Sequence, residues 1–369
     1  VNYAYRPEDL KVQHDGFKWS AAGVGVIPAW IADMDLPTAP EVVEALRRRA
    51  AGDLGYPAWL TDPAIGPLGE AFAERMARRY GWTADPSLVR SFNDLNQALQ
   101  VLLQVATKPG DGVAVHTPAY PPFLTTLDVM DRPLHPIRLE PDGDSWRFEV
   151  PDLSDCRVLL LVNPHNPTGR VFTRAELTEL AEHAERYDLL VIADEIHADL
   201  TYAPHEHIPF ATILPERTVT ITSATKAFNL GGIRCSVAHL GHQGVRKALE
   251  AQPPFVYGSA NLFGVEATVA AWRHGDAWLD RTVALLGRHR RTIAERLPAT
   301  FEYRIPEATY LAWFQVGRAG MAEVIEREAK VLLMDGAAFG PGGERHVRLN
   351  FATTEPILAE ILTRLSHVG

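Results

Sequence analysis

The chain has 369 residues, 46% of them hydrophobic and 22% charged, with a formal net charge of -10. This is ordinary globular composition with room for about two domains at roughly 100–200 residues each, and no segment is rich enough in Lys and Arg to suggest unaided binding of nucleic acid or an anionic membrane. No apolar stretch approaches the roughly 18 residues of a membrane helix, and Val1–Asp15 shows no leader-like apolar core. Cys156 and Cys235, the two cysteines, are read as free thiols of a cytoplasmic protein.

In chain order, Thr38 and Glu41 have capping-box spacing ahead of Val42, Val43 and Leu46, predicting a helix that ends near Gly52. From about Gly55 to Gly241, short apolar runs alternate with helical periodicity. The runs are Gly112–His116, Leu134–Arg138, Val158–Val162, Leu189–Ala193, Thr218–Thr222 and Ser236–Leu240. They lack clean alternation, as strands covered on both faces do. Leu95, Leu99, Leu102, Leu103 and Ala106 share one helix face; Leu177, Leu180, Ala181, Ala184 and Tyr187 share another, opened by a capping box at Thr173 and Glu176. Near the C-terminus, strand-like Thr309–Val316 and Val347–Phe351 are flanked by helical Trp278–Leu297 and Glu355–Leu365. These elements predict an α/β fold. A large domain over residues 45–280 holds a mainly parallel sheet. A smaller α+β domain is assembled from residues 1–44 and 281–369.

Four places along this pattern carry chemical promise, because ligands of open α/β sheets sit beyond the carboxyl ends of the strands. Asn163-Pro164-His165-Asn166-Pro167-Thr168-Gly169 follows one strand; its Asn-Pro pairs form a rigid turn that fixes the Asn166 amide. Asp194-Glu195-Ile196-His197 follows the next, where an acid either caps a helix or meets a cationic group. Ser223-Ala224-Thr225-Lys226 follows a third; a lysine there is either solvated or, if kept deprotonated, a Schiff-base former, with Ser223 and Arg234 offering donors for a phosphate. Arg348 lies inside an apolar run and needs an anion, either an internal acid or a bound carboxylate. Around these, Tyr120 either packs or stacks on a planar ring, and the helix start at Leu95–Asn96 can receive a phosphate. No metal enters this set.

The order of these motifs, with Asp194 28 residues after Asn166 and Lys226 32 residues further on, resembles the fold-type I pyridoxal-phosphate (PLP) enzymes, the aspartate-aminotransferase superfamily. Nine segments narrow the likeness to the cystathionine β-lyase and C–S lyase subfamily, the group of the maltose-regulon modulator. They are Pro28–Asp35, Gly55-Tyr56, Thr117–Phe123, Asn163–Gly169, Asp194–Asp199, His207–Pro209, Lys226–Leu230, Trp278–Asp280 and Thr309–Trp313. The resemblance implies that Lys226 carries the cofactor and moves protons, Asp194 pairs with the pyridine nitrogen, Asn166 meets the ring hydroxyl and Tyr120 stacks on the ring. His197 stands where aminotransferases carry a tyrosine. Ser223, Leu95, Asn96 and Arg234 would hold the phosphate. Arg348 would take the substrate carboxylate, and Trp30 would also bind the substrate. Tyr56 would reach the cofactor of a neighbouring subunit in a homodimer with shared sites.

Two positions depart from the subfamily pattern. The phosphate turn reads Asn93-Asp94-Leu95-Asn96, where a carboxylate repels a phosphate unless it turns to cap the helix, and Arg234 follows the aminotransferase pattern and could offset it. The reaction implied is β-elimination of an S-substituted L-cysteine to thiol, pyruvate and ammonia, with a specialised conjugate favoured over cystathionine. Aminotransfer and decarboxylation-coupled oxidative deamination, the outcomes divided among similar enzymes of lincosamide biosynthesis, are the competing reactions; a regulatory binding protein is the competing class.

Overall fold

A computed structural model describes residues 6–13, 16–60, 66–253 and 256–368; most of the leader reading at Val1–Asp15 therefore lies outside the described residues or their side chains. The central sheet has seven strands, in chain order β1 (Val89–Phe92), β2 (Gly112–Thr117), β3 (Leu134–Arg138), β4 (Cys156–Val162), β5 (Leu190–Asp194), β6 (Thr218–Thr222) and β7 (Ser236–Leu240). Their spatial order is β1-β7-β6-β5-β4-β2-β3. β7 alone is reversed, pairing antiparallel with both β6 and β1; the other neighbours are parallel. Six of these strands are close to the expected runs, and the sheet is mainly parallel as expected. β1 is an addition: Val-Arg-Ser-Phe is too short and too polar to stand out from sequence.

Alternation along the strands explains why both faces are covered. Val113, Val115, Val158, Leu160 and Ile192 pack with Leu99 and Leu102 of the helix Leu95–Ala106. Ala114, Leu159, Leu161 and Val191 point the other way, onto Leu177 and Leu180 of the helix Arg174–Arg186. The capping box at Thr173 and Glu176 forms as expected. The one at Thr38 and Glu41 does not. Pro40 occupies the first turn, the helix runs Pro40–Ala50 with Ala39 as N-cap, and Thr38 is left outside it.

A second sheet gathers β8 (Glu302–Tyr303), β9 (Leu311–Gln315), β10 (Met334–Asp335) and β11 (His346–Asn350) in the order β8-β9-β11-β10. Two of the expected domain borders fall inside helices. Helix Pro40–Ala50 spans residues 44 and 45 and is tied to the helix Leu262–His274 by Arg49 and Glu266, and Asp276–Arg296 spans residues 280 and 281. Among the described residues no helix is long and apolar enough to cross a membrane, and both cysteines are buried and unpaired.

Candidate active site

Strand direction decides where the chemistry collects. The carboxyl ends of β1, β2, β4, β5 and β6 lie along one edge, and reversal of β7 brings the residues before it, Arg234 and Cys235, to that same edge. A cleft of about 150 Å³ opens there, lined among others by Asn96, Tyr120, Asn166, Asp194, His197 and Lys226. Leu95, Ser223 and Arg234 line it too.

The turn after β4 shows how one side chain is selected from a motif. Asn163 Oδ1 accepts the Phe172 N–H at 3.0 Å, and His165 Nδ1 lies 2.8 Å from Thr168 Oγ1. Gly169 has φ +71° and no room for a β-carbon, which would stand 2.3 Å from Pro306 Cβ. Asn166 is left to face the cleft. After β5 the same sorting occurs: Glu195 accepts the Phe210 N–H at 2.8 Å and faces His207, and Asp199 is taken by Arg75 and Tyr80. Asp194 and His197 remain for the cleft.

Asp194 ends β5, is 4% exposed, and accepts the Ile196 N–H at 3.1 Å. Burial pushes its carboxyl up to about 7, against the stabilising Ile196 hydrogen bond and with help from Glu195. No cation holds it in an ion pair among the described residues. Burial pulls Lys226 down to about 8, assisted by Arg348; its Nζ donates to Ala32 O at 2.9 Å. Burial also lowers His197 to about 3, so its ring is neutral, and its Nδ1 is buried without a hydrogen-bond partner among the described residues. Burial raises the Tyr120 phenol. Ser223 donates to Cys235 O at 2.6 Å and accepts the Thr225 N–H.

Arg348 is 2% exposed on β11. It donates to Asn166 Oδ1 at 3.0 Å and to Trp30 O at 3.1 Å, and packs over the Phe339 ring. No carboxylate pairs with it among the described residues and its Nε is unsatisfied, so the internal-acid alternative is excluded there. Trp30 meets Arg348 through its backbone carbonyl; its indole N–H points to Lys18 O. Tyr56 is 92% exposed and is not among the cleft residues of its own chain.

Sequence reasoning marked the segment Pro28–Asp35 but not what its backbone does, with Ala32 on the cleft wall. Asn350 donates to Ile31 O and Asp33 O at 2.7 and 2.6 Å. Asn229 accepts the Met34 N–H at 2.8 Å. Tyr310, fully buried, donates to Ala32 O at 3.1 Å, the carbonyl that Lys226 uses. Asn350 could have been found, because it lies two residues beyond Arg348 and so shares its strand face.

The family model for class I and II aminotransferases matches residues 31–365. The chain belongs to the class I and II aminotransferase family. It is similar to the cystathionine β-lyase of Corynebacterium glutamicum, at 31% identity over 98% of both chains. It is also similar to the cystathionine β-lyase PatB of Bacillus subtilis, at 32% identity over 99% of both. Among solved structures it resembles a PLP-bound C–S lyase from Staphylococcus hominis, with 26% identity, a TM-score of 0.86, and coverage of 100% of this chain and 96% of that one. Family membership and the strand order account for a site at this sheet edge.

The residues fit the cofactor of that structure. An unpaired buried carboxyl suits a pyridine nitrogen, a lysine lowered towards its free base suits an aldehyde, and the neutral His197 leaves an open nitrogen beside them. The Asp194 carboxyl makes a further prediction. A group that protonates near 7 when folded and near 3.8 when free adds stability at low pH and loses it as pH rises through 7. At about 1.4 kcal/mol per pH unit this amounts to roughly 4 kcal/mol. Cofactor-free D194N should therefore melt higher than cofactor-free wild type at pH 8, with the gap narrowing towards pH 5; equal melting temperatures at pH 8 would show that Asp194 bears no such burden.

Proposed function

We propose that this chain is a PLP-dependent C–S β-lyase that eliminates a thiol from an S-substituted L-cysteine, releasing pyruvate and ammonia. The observation that carries this reading is a buried Arg348 with no acid partner, on a cleft that also holds an amine-lowered Lys226 and an unpaired Asp194. An α-amino acid supplies the missing carboxylate, and the likeness to two cystathionine β-lyases along nearly the whole chain favours elimination over transfer.

When bound, PLP takes up the electron pair released as a bond to the substrate Cα breaks. The protein's own groups do the rest. Asp194 would sit against the ring nitrogen and, as an anion, would keep it protonated, strengthening the electron withdrawal that PLP supplies. Asn166 and the neutral His197 would offer hydrogen-bonding groups to the ring, and Tyr120 would pack against it; all three line the cleft. Arg348 binds the substrate carboxylate in two-point contact and so fixes which Cα bond faces Lys226. The Lys226 amine, free base above about pH 8, takes the Cα proton. Ser223, the helix start at Leu95–Asn96, and Arg234 would hold the phosphate.

The functional molecule in this reading is a homodimer in which Tyr56 of one copy completes the phosphate site of the other; a tyrosine 92% exposed beside the exposed Leu54 supports it. Residues 45–280 form the cofactor lobe, and the two chain ends form the lobe that carries Arg348. The two unpaired cysteines favour the cytoplasm.

A panel of S-substituted cysteines, from cystathionine to bulky conjugates, tests the assignment. Stoichiometric thiol and pyruvate are expected, with faster turnover of a bulky conjugate than of cystathionine. Carbon dioxide release with oxygen uptake, or strict dependence on a keto acid, would replace elimination with decarboxylation or transfer. Saturable binding without turnover would point instead to a regulatory role.

A further inference from the structure

The phosphate end of the cleft contains an acid that the proposed function does not use. Asp94 is the N-cap of the helix Leu95–Ala106, whose start would receive the phosphate. Its carboxylate is fixed on both sides. Oδ1 accepts the Gln97 N–H at 2.8 Å, and Oδ2 is paired with Arg234. Gln97 is itself held, with Oε1 accepting the Asn93 N–H and Nε2 donating to Tyr257 O. Capping was expected to turn the acid away from a phosphate, but Asp94 caps the helix and still lines the cleft, so it cannot leave the cradle without breaking the cap. Arg234 reaches it from a left-handed backbone conformation, φ 57°. The two side chains cancel in charge, and both line the cleft.

On the PLP reading above, we propose that Asp94 is an affinity-setting residue: it weakens the hold on the cofactor's phosphate and makes the cofactor exchangeable. A phosphate monoester carries about -1.5 to -2 charge near neutral pH, so it meets a carboxylate at the very helix end meant to attract it, and must share Arg234 with that carboxylate. The opposing effect is that Asp94 pre-positions Arg234. That gain is small, because the pair is solvent-accessible, with Arg234 55% and Asp94 26% exposed. The same exposure screens the repulsion, but the carboxylate faces nearly two phosphate charges and only one on Arg234, so repulsion outweighs the gain.

The test is D94N, since asparagine caps a helix about as well as aspartate. Cofactor-stripped wild type and variant are titrated with PLP and, separately, with pyridoxal, which lacks the phosphate, following the absorbance of the lysine-bound aldehyde. D94N should bind PLP at least tenfold more tightly and release it more slowly, with pyridoxal affinity unchanged within about twofold. The PLP gap should shrink as salt is raised from 20 to 500 mM, because an exposed charge is screened and a rearranged cap is not. Equal or weaker PLP binding by D94N, or a gap that also appears with pyridoxal, overturns the proposal and leaves the cofactor assignment standing. Failure of wild type to bind either aldehyde overturns that assignment and this inference with it.

Discussion

K226A is expected to lose the borohydride-sensitive absorbance of the lysine-bound cofactor and to release pyruvate about 10⁴-fold more slowly, the upper end of what a positioned proton-transfer group contributes. The expectation follows from where burial puts the amine. An ordinary lysine is almost wholly protonated at neutral pH and is neither nucleophile nor base; Lys226, lowered to about 8, is partly free base there. The sign of the pH dependence follows. In wild type, capture of PLP by cofactor-free protein should quicken between pH 7 and 9 and level off above, as the amine loses its proton. A rate flat across that interval would remove the lowered amine from the account, and turnover by K226A near the wild-type rate would remove Lys226 itself. Folding is a separate matter, since Lys226 makes one backbone hydrogen bond and no ion pair among the described residues; the melting temperature of K226A controls for it.

The second large effect is at Arg348. R348L should lower kcat/KM for an S-substituted cysteine by about 100-fold or more, corresponding to the roughly 3 kcal/mol of a charge-assisted hydrogen-bonded pair. R348K should recover little, because an ammonium cannot present the planar fork. The decisive comparison uses the matching S-substituted cysteamine, which has the amine and sulfur but no carboxylate. If Arg348 binds carboxylate, wild type and R348L should handle that compound within a few-fold of each other. A 100-fold loss with both compounds would mean that the variant acts through Asn166 or the strand packing instead, since Arg348 also holds the Asn166 amide.

The sequence showed the elements of this molecule more clearly than their directions. Paired apolar faces announce a strand covered on both sides, and Leu95–Ala106 and Glu355–Leu365 begin and end where their periodicity says. Nothing in Ser236–Leu240 says that it runs backwards, because side-chain alternation is the same in either direction, yet that reversal is what delivers Arg234 to the cleft. Cleft residues were legible where a strand end or turn chemistry confined them, as at Asn166 and Asp194. The Asp94–Arg234 pairing was legible from charge. The roles of Ala32, Trp30 and Ile31 were not, because they act through main-chain carbonyls that no side-chain identity records.

That last feature bears on how the protein can diversify. The strip from Ile31 to Met34 is moored by the amides of Asn350 and Asn229, and both grip its backbone. Exchange of the side chains at Ile31 or Asp33 therefore leaves every mooring in place. A lineage can rewrite those letters without re-engineering the frame that keeps the Ala32 carbonyl against Lys226 and the Trp30 carbonyl against Arg348.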